Sequence, residues 1–119
     1  MQSSSYSAQT SSGVSFQFSL MPSSVEFDAE NDNVDVELAV GGKRYHPTVL
    51  TLANVAALMS RYEKTGECAG GKYFWAADMI IVRRLSVDSL TATFTDLIES
   101  GDLKWIVSVD DAPDESAVE

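Results

Sequence analysis

The sequence predicts an α+β fold: one domain in which a mixed β-sheet of about four to five strands packs with two amphipathic helices. Three observations predict it. Apolar and polar residues alternate strictly in 14–20 and again in 34–40, the period of a half-buried strand. Two later stretches, each led by a hydroxyl residue and closed by glycine, carry apolar groups at helical spacing. Between these lies 72–85, KYFWAADMIIVRRL, which is apolar on both sides of an extended backbone and therefore reads as the central strand, buried on both faces. The expected order is β-β-β-α-β-α-β.

Residues 1–12 contain six serines and too little apolar surface to offset the entropy of ordering, so they read as a flexible lead-in. Val14, Phe16, Phe18 and Leu20 then form the inward face of the first strand, which Pro22 ends or kinks. Val25 and Phe27 suggest a short continuation before the turn-forming Glu30, Asn31, Asp32 and Asn33. In the next strand Val36, Leu38 and Val40 face one way and Asp35, Glu37 and Ala39 the other. Gly41 and Gly42 predict a tight hairpin, because both central residues of a type I′ turn need positive φ. That register sets Leu38 opposite Tyr45 and Glu37 opposite His46, and Pro47 closes the strand.

Thr51 caps a first helix with the stripe Leu52, Val55, Ala56, Met59 and Tyr62, ended by Gly66. Glu67 to Gly71 is a mobile link. Ser86 caps a second helix, in which Val87, Leu90, Phe94, Leu97 and Ile98 share a face and Asp88 complements the positive first turn. Gly101 stops it, and LKWIVSV from Leu103 to Val109 is β-branched and aromatic enough for a last strand, paired in parallel with the central one through the second helix. The domain then spans 13–109, and 110–119 is a disordered acidic tail by composition.

The chain is acidic, with a formal charge of −10, and the acids are unevenly placed. Residues 1–42 carry Glu26, Asp28, Glu30, Asp32, Asp35 and Glu37 with no lysine or arginine; all eight bases lie in 43–104; Asp110, Asp111, Asp114, Glu115 and Glu119 close the chain. Phosphate would be repelled, so nucleic acid is not expected as a partner and a basic protein is. No apolar run reaches the roughly 18 residues a membrane helix needs. The N-terminus lacks the basic start and apolar middle of a secretory signal. The single Cys68 forms no internal disulfide and suits a reducing compartment, so the expected location is the cytoplasm.

Catalytic signals are weak. His46 beside Glu37 has the elements of an oriented general base, but no nucleophile is placed near it, and a solvated edge-strand ion pair explains it better. Cys68 follows Glu67, whose charge raises rather than lowers a thiol pKa. Asp28, Glu30 and Asp32 open like a calcium loop, but Ala39 stands where the closing glutamate belongs. Cysteine and histidine are too few for structural zinc, and no glycine-rich phosphate loop is present. The expectation is therefore no catalytic residues, no cofactor and no metal.

The strongest feature is the aromatic group Tyr73, Phe74, Trp75 and Trp105 with Met79. Such residues are usually core. The alternative follows from the architecture: if both helices cover one face of the sheet, aromatics on the other are left exposed, and a Trp/Tyr patch rimmed by acids suits protein binding. The expected function is a non-enzymatic acidic binding domain, for example an inhibitor or immunity-type antidote that occludes a basic partner. Its contact residues are Glu26, Asp28, Glu30, Asp32, Asp35, Glu37, Tyr73, Trp75 and Trp105. The alternatives are a homodimeric adaptor and a small enzyme using His46 or Cys68.

Overall fold

A computed structural model describes residues 5–21 and 28–108. It shows a single α+β domain with a mixed sheet. The strands are β1 (Ser5–Gln9), β2 (Ser15–Met21), β3 (Asn33–Val40), β4 (Lys43–Tyr45), β5 (Thr48–Thr51) and β6 (Met79–Val82). The helices are α1 (Leu52–Thr65), the short α2 (Glu67–Gly71) and α3 (Val87–Ser100), followed by a 3-10 turn at Asp102–Trp105. Strand order is β1-β2-β3-β5-β6, with β4 also beside β3; every pair is antiparallel except β5 with β6.

Alternation builds the core as predicted except at Val14, which precedes β2 and is exposed. Phe16, Phe18 and Leu20 of β2 and Val34, Val36 and Leu38 of β3 are buried on one face, where they meet Leu90 and Phe94 of α3. Phe18 meets Phe94 edge-to-face at 5.2 Å between ring centroids. Ser86 caps α3 by accepting from the Ser89 amide, and Gly101 ends it.

The hairpin also follows the sequence. Leu38 stands opposite Tyr45, and Gly41 and Gly42 have φ of 58° and 82°. β4 and β5 are one arm in one register, since Asp35 lies opposite Thr48 as Leu38 lies opposite Tyr45. Only His46 and Pro47 interrupt it. Proline has no N–H to donate, yet its carbonyl still accepts from the Val36 amide at 3.0 Å. Pro47 therefore does not close the arm, and the strand at Thr48–Thr51 was not anticipated.

Four expectations are corrected. Part of the lead-in is β1, an edge strand antiparallel to β2 that adds Tyr6 and Ala8 to the margin of the core. Serine-rich composition conceals it, because only Tyr6 and Ala8 are apolar and their burial is supplied by β2. The run 72–85 is not a central strand: only Met79–Val82 is extended, and it lies at the end of the sheet. Asp78, at φ 51°, breaks the extended backbone, as a charged residue within an apolar run allows.

The last strand is likewise replaced. Leu103 and Ile106 are both buried, and a 3-10 turn brings residues three apart to one side, so burial overrides β-propensity; among the described residues of this stretch only Ser108 bridges, to Tyr45, and Val109 lies outside them. The parallel pair is accordingly β5 with β6, connected through α1 and α2, rather than two strands joined through α3.

The fourth correction concerns α1. Its cap and stop are as predicted, with Thr51 accepting from the Asn54 amide and Gly66 left-handed, but no residue of the helix is buried and Leu52 is 59% exposed. Of its stripe, Tyr62 meets the following segment instead of the core, while Leu52 and Ala56 stay exposed. Phe74 stacks on Tyr62 at 6.3 Å, and a Cβ at Gly71 would fall 2.3 Å from the Met59 carbonyl oxygen, so only glycine allows the approach. The link to β6 is thus an ordered turn, in which Cys68, Ala69 and Gly70 are left-handed.

The β1–β2 turn is tied to α3 by Glu99, whose Oε2 accepts from the Ser11 hydroxyl at 2.5 Å and the Ser11 amide at 2.9 Å. These donors, the hydroxyl first, hold its carboxyl below the usual range. A depressed folded pKa contributes stability above the unfolded value, and that contribution is lost as pH falls through the folded value. Thermal melts across the acid range should therefore show Glu99→Gln less stable than the parent at neutral pH, with the difference closing on acidification. A difference independent of pH would contradict this.

Candidate protein-binding surface

The predicted site residues fall into two groups at opposite ends of β6. The first is organised by Asp78, whose carbonyl accepts from the Thr48 amide at 3.1 Å and whose Oδ1 accepts from the Val107 amide at 3.4 Å. This clasp joins the segment carrying Tyr73 and Trp75 to the segment carrying Trp105. None of the three is core: Tyr73 is 51%, Trp75 67% and Trp105 74% exposed. Phe74 and Met79 are only half-buried. The Lys104 ammonium lies 5.3 Å from the Trp105 ring, and Val107 beside it is exposed.

Two acids stand across the sheet from this end. Asp35, opposite Thr48, accepts from the Thr48 hydroxyl at 2.9 Å, and Thr48 in turn lies opposite Met79. Glu37 lies 3.8 Å from the His46 ring, and both side chains are well exposed. Alternation sets both acids on the face away from the core, where Ser15, Gln17 and Ser19 continue a polar surface.

The second group is the loop at Asp28, Glu30 and Asp32, beside the other end of β6. It is held by its own carboxylates: Asp28 accepts from the Glu30 amide, and Asp32 from the amides of Asp28 and Asn33. The Ala29 carbonyl accepts from the Leu85 amide at 2.8 Å, Glu30 pairs with Arg84, and Asp32 is bound to Thr51 through two hydrogen bonds. Asn33, Asn54 and Asn31 form a further chain of amide contacts. The loop is therefore a rigid acidic knob, partly neutralised by Arg84. Glu26, Pro22, Val25 and Phe27 lie outside the described residues, as does the acidic segment from 109.

His46 and Cys68 are not brought together by any contact. A groove of about 540 Å³ is lined by Gln9, Gln17, Gly41 and Gly42 among others, and one of about 290 Å³ by Lys43, Tyr45, Lys104, Ile106, Val107 and Ser108. Neither includes His46 or Cys68. Among the described residues, no group of three or more His, Cys, Asp or Glu is placed to hold a metal, and no helix is long and apolar enough to cross a membrane.

The sequence places Asp78 inside an apolar run but does not reveal the clasp, because the partner Val107 is distant in the chain. Nor does it reveal Ile81, which is 46% exposed, because the run reads as buried on both faces. No family model matches the chain, and no curated protein or solved structure matches it.

Proposed function

We infer that this chain is a non-enzymatic protein-binding domain that engages a basic partner, in the manner of an inhibitor or antidote acting in the cytoplasm. The observation that carries the reading is the exposure of Trp75 and Trp105 on two segments clasped at one point. Large aromatics left in water on an ordered framework cost hydration free energy that a partner recovers, and Trp and Tyr are the usual anchors of such contacts. Asp35 and Glu37 across the sheet, and the knob at Asp28 to Asp32, supply the negative field that favours a basic protein and disfavours nucleic acid.

The two groups have separable roles. Trp75→Ala with Trp105→Ala should weaken the complex through faster dissociation, by about 30-fold or more if each anchor is worth roughly 1–2 kcal/mol. Neutralising Asp28, Glu30 and Asp32 to their amides should instead slow association by about tenfold at low salt and leave dissociation nearly unchanged. Surface-immobilised kinetics with the captured partner resolve the two. An association rate indifferent to the acids removes charge steering, and a complex indifferent to both tryptophans removes the surface.

A further inference from the structure

We propose that the groove between Lys43 and Lys104 is a docking site for this chain's own acidic segment 109–119, which enters it with Asp110 across from Lys43. The inference stands on the register at Ser108 and on charge, and does not rest on the basic-partner reading.

The register is set at the last described residue. Ser108 is buried and bridges Tyr45 in the antiparallel sense, on the side of β4 away from β3. An antiparallel pairing fixed at one position fixes its neighbours. The next positions set Val109 against Arg44 and Asp110 against Lys43. β4 starts at Lys43, directly after the turn at Gly41 and Gly42, so the pairing ends at Asp110.

Faces follow from the same register. Residues directly opposite share a face of the sheet. Leu38, Tyr45 and Ser108 stand in one row, and Leu38 is core. Val40, Lys43 and the position of Asp110 form the next row on that face, at its margin. The groove of about 290 Å³ lies there, and the charged residues that line it are the two lysines. The chain enters it at Ser108, which is itself part of the lining.

Charge selects this occupant over a separate molecule. Residues 109–119 carry Asp110, Asp111, Asp114, Glu115 and Glu119 with no lysine or arginine. An acid opposite a lysine across two strands is a favourable pair. A carboxylate tethered two residues from the bridge also meets Lys43 at an effective concentration that any free acidic molecule must exceed. The consequence falls on the aromatic end of the domain. The Lys104 ammonium lies 5.3 Å from the Trp105 ring, with Trp105 and Val107 exposed. Acids seated in the groove neutralise the positive charge beside these residues and turn acidic molecules away, so the surface is kept for neutral or basic ones.

The register is tested by oxidation of the full chain in a Cys68→Ser background. Directly opposed residues have Cα atoms about 4.5–5.5 Å apart, within disulfide reach, so Lys43→Cys with Asp110→Cys should close an intramolecular bond, read as loss of both thiols at monomer mass. Asp111→Cys, which the register sets on the other face, should close with Lys43→Cys at least about tenfold more slowly. Charge is tested without new cysteines, by amide hydrogen exchange. At least one of the Val109 and Asp110 amides should be protected about tenfold or more in the parent, because alternate backbone groups face β4. Lys43→Glu with Lys104→Glu should abolish that protection and leave the Leu90 and Phe94 amides unchanged. Equal closure of the two cysteine pairs overturns the proposal. So does an absence of protection in the parent, or protection that survives the charge reversal.

Discussion

Phe94→Ala is expected to destabilise the domain by about 3–5 kcal/mol, read as a lower urea midpoint with an unchanged slope. Phe94 is fully buried, and its ring meets Phe18 edge-to-face from the middle of α3. Truncation removes the transfer free energy of the ring and leaves a cavity that Phe16, Phe18 and Leu90 are too well packed to fill. Small domains hold only about 5–15 kcal/mol in total, so the variant should lose a large fraction of its stability. A loss under about 1 kcal/mol would mean that α3 does not close the core.

Thr51→Val should cost about 2–4 kcal/mol although it preserves shape. The Thr51 hydroxyl is fully buried and accepts from two amides, Asn54 at 3.1 Å and Asp32 at 3.2 Å. Valine leaves both donors without that acceptor, one at the start of α1 and one in the acidic loop. Hydrogen exchange should accelerate at both amides, and Thr51→Ser, which keeps the oxygen, should restore their protection. Because the same group anchors the knob at Asp28 to Asp32, the valine variant should also slow association with a basic partner. Protection at Asp32 that is unaffected would separate the loop from the cap.

The elements that were legible in the sequence are those specified by local signals. The Gly41–Gly42 hairpin, the Thr51 and Ser86 caps and the stops at Gly66 and Gly101 each depend on a residue type required by one backbone conformation, and each appears where it was expected. Elements specified by distant partners were not legible. β1 has only Tyr6 and Ala8 as apolar positions among polar residues and is made into a strand by β2, and Thr48–Thr51 is recruited by β3 and β6 across a proline. Residues 103–108 have strand composition but begin in a turn, because Leu103 and Ile106 are drawn to the same core.

The candidate surface divides in the same way. Composition showed the aromatics and the acids, and the mixed burial of 72–78 could have been suspected from Asp78. Composition could not show that Asp78 binds Thr48 and Val107, which sets Trp75 and Trp105 on joined segments. Nor could it show that Glu30 is paired with Arg84, or that the acids divide between the two ends of β6.

The most direct test of the binding reading is affinity capture from source-cell lysate at low and at high salt, with the parent chain and the Trp75→Ala, Trp105→Ala double variant as baits. The reading predicts one basic protein, held near one to one by the parent at low salt, largely released by high salt and absent from the variant. The contradicting result is the same set of proteins on both baits at both salt concentrations, or no basic protein on the parent at either.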